Sequence, residues 1–336
     1  MELSASVAFG LGAALALVPA LLLAKRQRSI APAMIRPEVR TRTRDGRIFF
    51  FTPSLFCAQI VLFGDSITQQ SFAPGGWGAA VANQYQRTAD VTLRGYSGYN
   101  TRWALRLLPG LFPQSAVRTP ALVTVLFGAN DANLPPPLRG NHESASRQHV
   151  PIDEYIDNLR AIIDAVGQTG DGTAKLLLIT PPPIDEKAWH AFCVDTYGVD
   201  RHADPNRSHK ATKAYADAVV RVGKETGTPT LDLHAAFLDR GDWSACFRDG
   251  LHPNAAGGML IGDAILAAIA AHFPDLRPGA FGEADYMHKL AIDFPDHKAI
   301  DVDAIDATFS TYEQQRLPPP RPKLGRLSTA AFFQKS

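Results

Sequence analysis

The chain has 336 residues, long enough for one large domain, or a domain with extensions, built on a sizeable buried core. Hydrophobic residues make up 46% and charged residues 20%, the balance of a soluble globular protein, and a net charge of +1 gives no electrostatic reason to expect nucleic acid or an anionic surface as the main partner. The three cysteines, Cys57, Cys193 and Cys246, are widely spaced and fit neither a disulfide framework nor a zinc pattern, and the ten histidines show no close metal-ligand spacing, so a reducing compartment, no metal and no cofactor are expected.

Residues 1–59 read as an extension. An apolar run from Val7 to Ala24 is followed by Lys25, Arg26 and Arg28. Its length makes a marginal candidate for a membrane span, which Gly10, Gly12 and Pro19 weaken as a helix. A secretory signal carries basic residues before its apolar run, and here only Glu2 is charged there. The basic cluster after the run places the globular body on the cytoplasmic side. A cytoplasmic body is therefore expected. The alternatives are a cytoplasm-facing anchor or secretion through residues 1–24, and membrane contact is expected only through 7–24. The stretch Ile48 to Gln59 has two readings: a sign that part of 41–59 is translated intron, with Met34 opening the protein, or an apolar edge segment packed on the domain.

From residue 60 onward, short apolar runs alternate with longer amphipathic segments. Ile60–Phe63 is a buried-strand signal ended by Gly64. Gly76–Arg87 reads as a helix, Val91–Leu93 as a second strand, and Arg102–Leu108 as a short helix stopped by Pro109. Ala121–Phe127 is a third strand. Across Ile152–Val166 the apolar residues Ile152, Tyr155, Ile156, Leu159, Ile162, Ile163 and Val166 recur at helical spacing. Lys175–Thr180 is a fourth strand closed by Pro181. His209–Thr226 is a long helix, Thr228–Leu233 a fifth strand, and Asn254–His272 a final helix with Asn254 at its N-cap. From about Pro274 the tail is expected to be partly irregular, with an extended Pro-rich stretch at 317–322. This order predicts an α/β fold, a three-layer α/β/α sandwich around a mostly parallel five-stranded sheet, over 60–273. Ligands in such folds bind beyond the carboxyl ends of the strands.

Four blocks would meet on that rim: Gly64-Asp65-Ser66 after the first strand, Gly95 to Thr101 after the second, Gly128-Ala129-Asn130-Asp131 after the third, and Asp249-Gly250-Leu251-His252-Pro253 before the last helix. A serine hydroxyl needs a base to become nucleophilic. His252 can supply it. Asp249, three residues earlier, can hold the imidazole tautomer and stabilise its cation. Asp65 and Asp131 read as loop-shaping acceptors, and Asn100 as the residue that holds the second loop. Each block alone is compatible with a cap, a turn or a surface pair; all four in order are not.

The blocks resemble the SGNH (GDSL) hydrolase family from about Ile60 to Phe273, with Ser66, Gly98, Asn130 and His252 matching its four named residues. Within it, Phe63 to Gln69, Gly98 to Trp103, Gln148-His149-Val150-Pro151 and Ile179 to Pro183 are similar to the isoamyl acetate-hydrolysing esterase branch. The resemblance implies a flavodoxin-like sheet and a serine ester hydrolase with the triad Ser66, Asp249 and His252. Its oxyanion hole would comprise the backbone N–H groups of Ser66 and Gly98 and the Asn130 amide. It implies a small ester of a short acyl group, acetate foremost, as substrate. Alternatives are deacetylation of an acetylated sugar or metabolite, a thioesterase or lysophospholipase activity, or a catalytically silent scaffold on the same fold. Trp77, Tyr99 and Trp103 are candidates for the acyl or alcohol pocket, with core packing equally open. The stretches 134–149 and 184–208 follow strands and are expected as loops over the site that set acyl-chain selectivity.

Overall fold

The computed structural model describes residues 39–42, 48–51, 58–135, 147–198, 205–277, 295 and 297–316. The apolar run 7–24, the basic residues after it, Met34, and the Pro-rich stretch 317–322 lie outside these. The chain divides into two compact units, Met1–Thr52 and Pro53–Ser336. In the first, β1 (Val39–Arg42) and β2 (Ile48–Phe51) pair antiparallel, Val39 opposite Phe51. The apolar Ile48–Phe51 segment is thus a strand of a separate two-stranded sheet.

The second unit carries a five-stranded sheet. Its strands are β3 (Ala58–Gly64), β4 (Ala89–Gly95), β5 (Leu122–Leu126), β6 (Lys175–Ile179) and β7 (Thr230–Leu231). They run in the order β4-β3-β5-β6-β7, and every neighbouring pair is parallel. Strand order reverses between β3 and β5, whose Gly64 and Leu126 lie in register. A crevice opens at such a switch point, at the carboxyl ends of the strands.

Helices cover both faces, and the period-two alternation of the strands decides which residue meets which layer. Ile60, Leu62, Leu122, Leu177 and Ile179 pack against α2 (Trp77–Gln84) and α9 (Ala255–His272), through Trp77, Val81, Ile261 and Ile265. Val61, Phe63, Val123, Val125, Leu176 and Leu178 pack against α5 (Ile152–Gly167) and α7 (His209–Thr226), through Tyr155, Leu159, Ile162, Val219 and Val222. Each such buried side chain contributes about 1.5–3 kcal/mol relative to exposure. The apolar stripe read along Ile152–Val166 is the buried face of α5, although Ile152 and Ile163 are only partly covered.

Local departures from the sequence reading have physical causes. The expected helix Arg102–Leu108 is two short ones, α3 (Thr101–Ala104) and α4 (Leu108–Leu111). Pro109 opens α4 rather than ending α3, because the first helical turn needs no proline N–H. The fifth strand is shorter than expected, two residues instead of Thr228–Leu233. Pro229 cannot donate to the ladder, and Asp232 leaves the sheet to accept from Ala235 N at 3.0 Å as cap of α8 (Leu233–Leu238). The stretch 184–208, expected as a loop, contains α6 (Glu186–Tyr197), capped by Asp185, whose carboxylate accepts from Ala188 N at 3.0 Å. Among the described residues of the tail are Leu276, whose carbonyl accepts from the buried Tyr85 hydroxyl at 2.8 Å, and the helix α10 (Ile305–Arg316).

Candidate active site

The site begins where β3 ends. Asp65 caps the four-residue helix α1 (Ser66–Gln69), its carboxylate accepting from Ile67 N at 2.9 Å, so Ser66 is the first helical residue at the sheet's carboxyl rim. The base arrives from the far end of the domain, on the loop before α9. That loop is closed at both ends: Arg248 N donates to His252 O at 3.0 Å, and Asn254 N to Cys246 O at 2.9 Å. Its turn falls on Gly250, with φ +87°; a side chain there would also meet Asp185 O at 2.5 Å. Asn254 then caps α9 by accepting from Ala256 N and Gly257 N, as its sequence position predicts.

Within this frame His252 Nε2 lies 3.0 Å from Ser66 Oγ, and His252 Nδ1 lies 2.7 Å from Asp249 Oδ2. The other carboxylate oxygen of Asp249 accepts from Leu251 N at 2.9 Å and His252 N at 2.7 Å. Burial works to raise the Asp249 pKa, but the hydrogen bonds from the His252 ring and from these backbone N–H groups outweigh it and hold the carboxyl below its usual range. An ionised Asp249 requires the proton at Nδ1, which leaves Nε2 as the acceptor facing the serine. The arrangement can pull a proton from Ser66 Oγ and stabilise the resulting imidazolium.

The second and third blocks converge on the same rim. Gly98 has φ +78°, a conformation that favours glycine, and its carbonyl accepts from Gln148 Nε2 at 3.0 Å. Asn100 caps α3 by accepting from Trp103 N at 3.0 Å and donates to Gln148 O at 2.9 Å, so it does hold the second loop. The Asn130 amide nitrogen donates to Tyr99 O at 2.8 Å, which ties the third block to the second. Asp131 accepts from both Thr101 N, at 2.9 Å, and Thr101 Oγ1, at 2.5 Å, and Asn158 Nδ2 donates to that hydroxyl at 3.0 Å. Asp65 and Asp131 are therefore loop-shaping acceptors, as their types suggest.

Of the three pocket candidates, Trp77 is mainly a core residue that also contributes to the wall of a cleft. It is 1% exposed, packs between sheet and α9, and donates from its indole to Ile67 O at 3.1 Å. Tyr99 and Trp103 are half-buried and meet edge to face at 5.7 Å. Tyr99 enters the site through its carbonyl. A cleft of about 140 Å³ is lined by Ile67, Gln70, Pro74, Trp77, Arg248 and Pro253, among others; it borders the Ser66 and His252 blocks through Ile67 and Pro253 and includes neither catalytic side chain.

Three further residues reach the site. Gln148 links the loops, its Oε1 accepting from Asn133 Nδ2 at 2.9 Å. Trp189, on α6, sits edge-on to the His252 ring at 5.9 Å. Arg207 is 5% exposed and donates to the carbonyl of Ala129 and to Asn130 Oδ1, the latter at 2.9 Å. Gln148 stood in a recognisable stretch and Trp189 among the aromatics over the rim, but Arg207 precedes a helix in a polar run and carries no local signal.

Burial pushes the Asp65 and Asp131 carboxyls up to about 7 each; for Asp65 the neighbouring Asp131 adds to the rise, while the Ile67 N–H and Arg207 oppose it. A carboxyl whose pKa is raised by folding stabilises the fold below its unfolded value of 3.8 and loses that contribution as pH climbs through about 7. Asn caps as well as Asp, so Asp65→Asn retains α1 while removing the ionisation. The difference in Tm between D65N and the unsubstituted protein should therefore shift in favour of D65N between about pH 5 and about pH 8. A difference that stays constant, or moves against D65N, contradicts this assignment.

Residues 62–259 match the model of the GDSL-like Lipase/Acylhydrolase family, and the chain belongs to that family. It is by class a carboxylic ester hydrolase. A GDSL esterase/lipase of Arabidopsis thaliana is 39% identical over 244 residues, 72% of this chain and 93% of the relative. The isoamyl acetate-hydrolyzing esterase 1 homolog of Rattus norvegicus is 40% identical over 210 residues, 62% of this chain and 80% of the relative. Among solved structures, a lipase/acylhydrolase from Enterococcus faecalis is 23% identical with a TM-score of 0.48, covering 66% of this chain and 99% of that one.

Proposed function

We propose that the protein hydrolyses small carboxylic esters of short acyl groups, acetate-type esters of aliphatic alcohols, through an acyl-enzyme on Ser66. The observation that carries the reading is the unbroken hydrogen-bonded chain from Asp249 through His252 to Ser66 Oγ, at 2.7 and 3.0 Å. His252 takes the serine proton as Oγ attacks the ester carbonyl carbon, then returns it to the alkoxide that leaves. In the second half a water is deprotonated by the same nitrogen and releases the acid. The oxyanion receives the backbone N–H groups of Ser66 and Gly98 and the second hydrogen of the Asn130 amide, the first being held by Tyr99 O. The short-acyl preference draws support from relatives named for isoamyl acetate hydrolysis.

A panel of esters with acyl and alcohol parts varied independently tests the substrate class. Expected is a maximum in kcat/KM at acetyl esters, with a fall of about tenfold or more by octanoyl, since each misfitted methylene is worth roughly 1 kcal/mol or more. Preference for long-chain lysophospholipids, thioesters or acetylated sugars over simple alkyl acetates would overturn it.

A further inference from the structure

We infer that Arg207 is the positioning residue of the oxyanion site: its buried guanidinium fixes the Asn130 amide so that nitrogen, not oxygen, faces the developing negative charge. The inference rests on the ester-hydrolase reading of Ser66 and extends it to a residue that reading does not use.

An asparagine amide has two ends of similar shape and opposite character. Turned one way it donates to an oxyanion; turned the other it repels one. Two contacts hold Asn130 in the donating orientation. Its Oδ1 accepts from Arg207 Nη2 at 2.9 Å, and its Nδ2 donates to Tyr99 O at 2.8 Å. A guanidinium has no acceptor and a peptide carbonyl has no donor, so a flipped amide would lose both bonds and face like against like. The guanidinium charge beside Oδ1 also draws electron density from the amide and strengthens the remaining N–H as a donor.

Arg207 is itself held. Its other terminal nitrogen donates to the carbonyl of Ala129, the residue before Asn130, so one planar fork spans the backbone and side chain of the third block. The guanidinium lies over the Trp189 ring at 5.3 Å, and Trp189 Nε1 donates to Asn206 Oδ1 at 2.9 Å. The same indole stands edge-on to His252. One aromatic thus braces the cation behind the oxyanion site and the ring of the base. Burial lowers the Arg207 pKa to about 10, with Asp65 and Asp131 among the charges that oppose the fall, so the group stays cationic at neutral pH. Burying a cation is expensive, and here it is set against the polar face of a residue placed to meet substrate.

A double-mutant cycle on p-nitrophenyl acetate separates positioning from mere support. Lysine keeps the charge but is a point donor that cannot span Ala129 O and Asn130 Oδ1 together. Arg207→Lys should lower kcat by about 10- to 100-fold with KM within about twofold, the ceiling being the loss in Asn130→Ala, about 100-fold or more. In the N130A background the same R207K change should alter kcat by less than about twofold, because the group it orients is gone. Arg207→Met should cost more than R207K in the native background. Should R207M fail to fold, R207K with its thermal unfolding recorded carries the cycle. Wild-type kcat in R207K, or an equal loss with and without Asn130, overturns the inference and makes Arg207 a structural cation only. If instead Ser66→Ala retains full activity, the parent reading has failed and the cycle says nothing about an oxyanion.

Discussion

Ser66→Ala should remove turnover of p-nitrophenyl acetate down to the assay background, while the protein stays folded. Among serine hydrolases built on a triad, loss of the serine alone costs about 10⁶-fold in kcat. The residual rate comes from what alanine keeps, since the backbone N–H of residue 66, Gly98 and Asn130 remain. Folding should be nearly untouched. Asp65, not Ser66, caps α1, and the side chain given up makes a hydrogen bond to His252 worth about 1 kcal/mol net. A thermal midpoint within a few degrees of the parent, alongside lost turnover, is the expected pair of results. A folded S66A that hydrolyses the ester at the parent rate would remove Ser66 from the chemistry.

His252→Ala should be comparably severe. A neutral serine hydroxyl is a weak nucleophile, and among the described residues no other base is placed as His252 Nε2 is, 3.0 Å from Ser66 Oγ. In triad enzymes the base and the nucleophile act as one unit, so losing either costs about as much as losing both. The double variant Ser66→Ala with His252→Ala should therefore be no slower than either single one. The cost to the fold is again small. The Asp249 carboxylate keeps its bonds from the backbone N–H groups of residues 251 and 252, which alanine retains. Losing the ring removes one of the interactions that depress the Asp249 pKa, so that carboxyl should titrate higher in H252A. Multiplicative losses in the double variant would mean the two side chains act separately.

What the sequence discloses, and what it hides, follows from how local each signal is. Ser66, Gly98, Asn130 and the Asp249–His252 pair sit in short contiguous blocks directly after a strand or before a helix, and an α/β sheet brings such positions to one rim. The long helices were legible for the same reason: His209–Thr226 has its Ser208 cap, accepting from Ala211 N, and its left-handed Gly227 stop written in adjacent residues. Helix α6 was not, because its buried set is little more than Trp189 and Cys193, too few for a periodic pattern. Its one readable sign was Asp185 as a cap. Trp77 carries both readings that its residue type leaves open, core packing at 1% exposure and a place in the wall of a cleft, and nothing in a sequence says which side of a helix meets the sheet. Arg207 is the extreme case, since its meaning lies wholly in contacts with Ala129, Asn130 and Trp189, none of them near it in the chain.

Covalent labelling tests whether Ser66 is the nucleophile of this ester hydrolase. A fluorophosphonate reacts only with a hydroxyl activated for attack. One adduct is expected, on the peptide containing Ser66, formed in step with loss of esterase activity and absent from S66A. An adduct on another serine, or labelling of S66A at the parent rate, would contradict it.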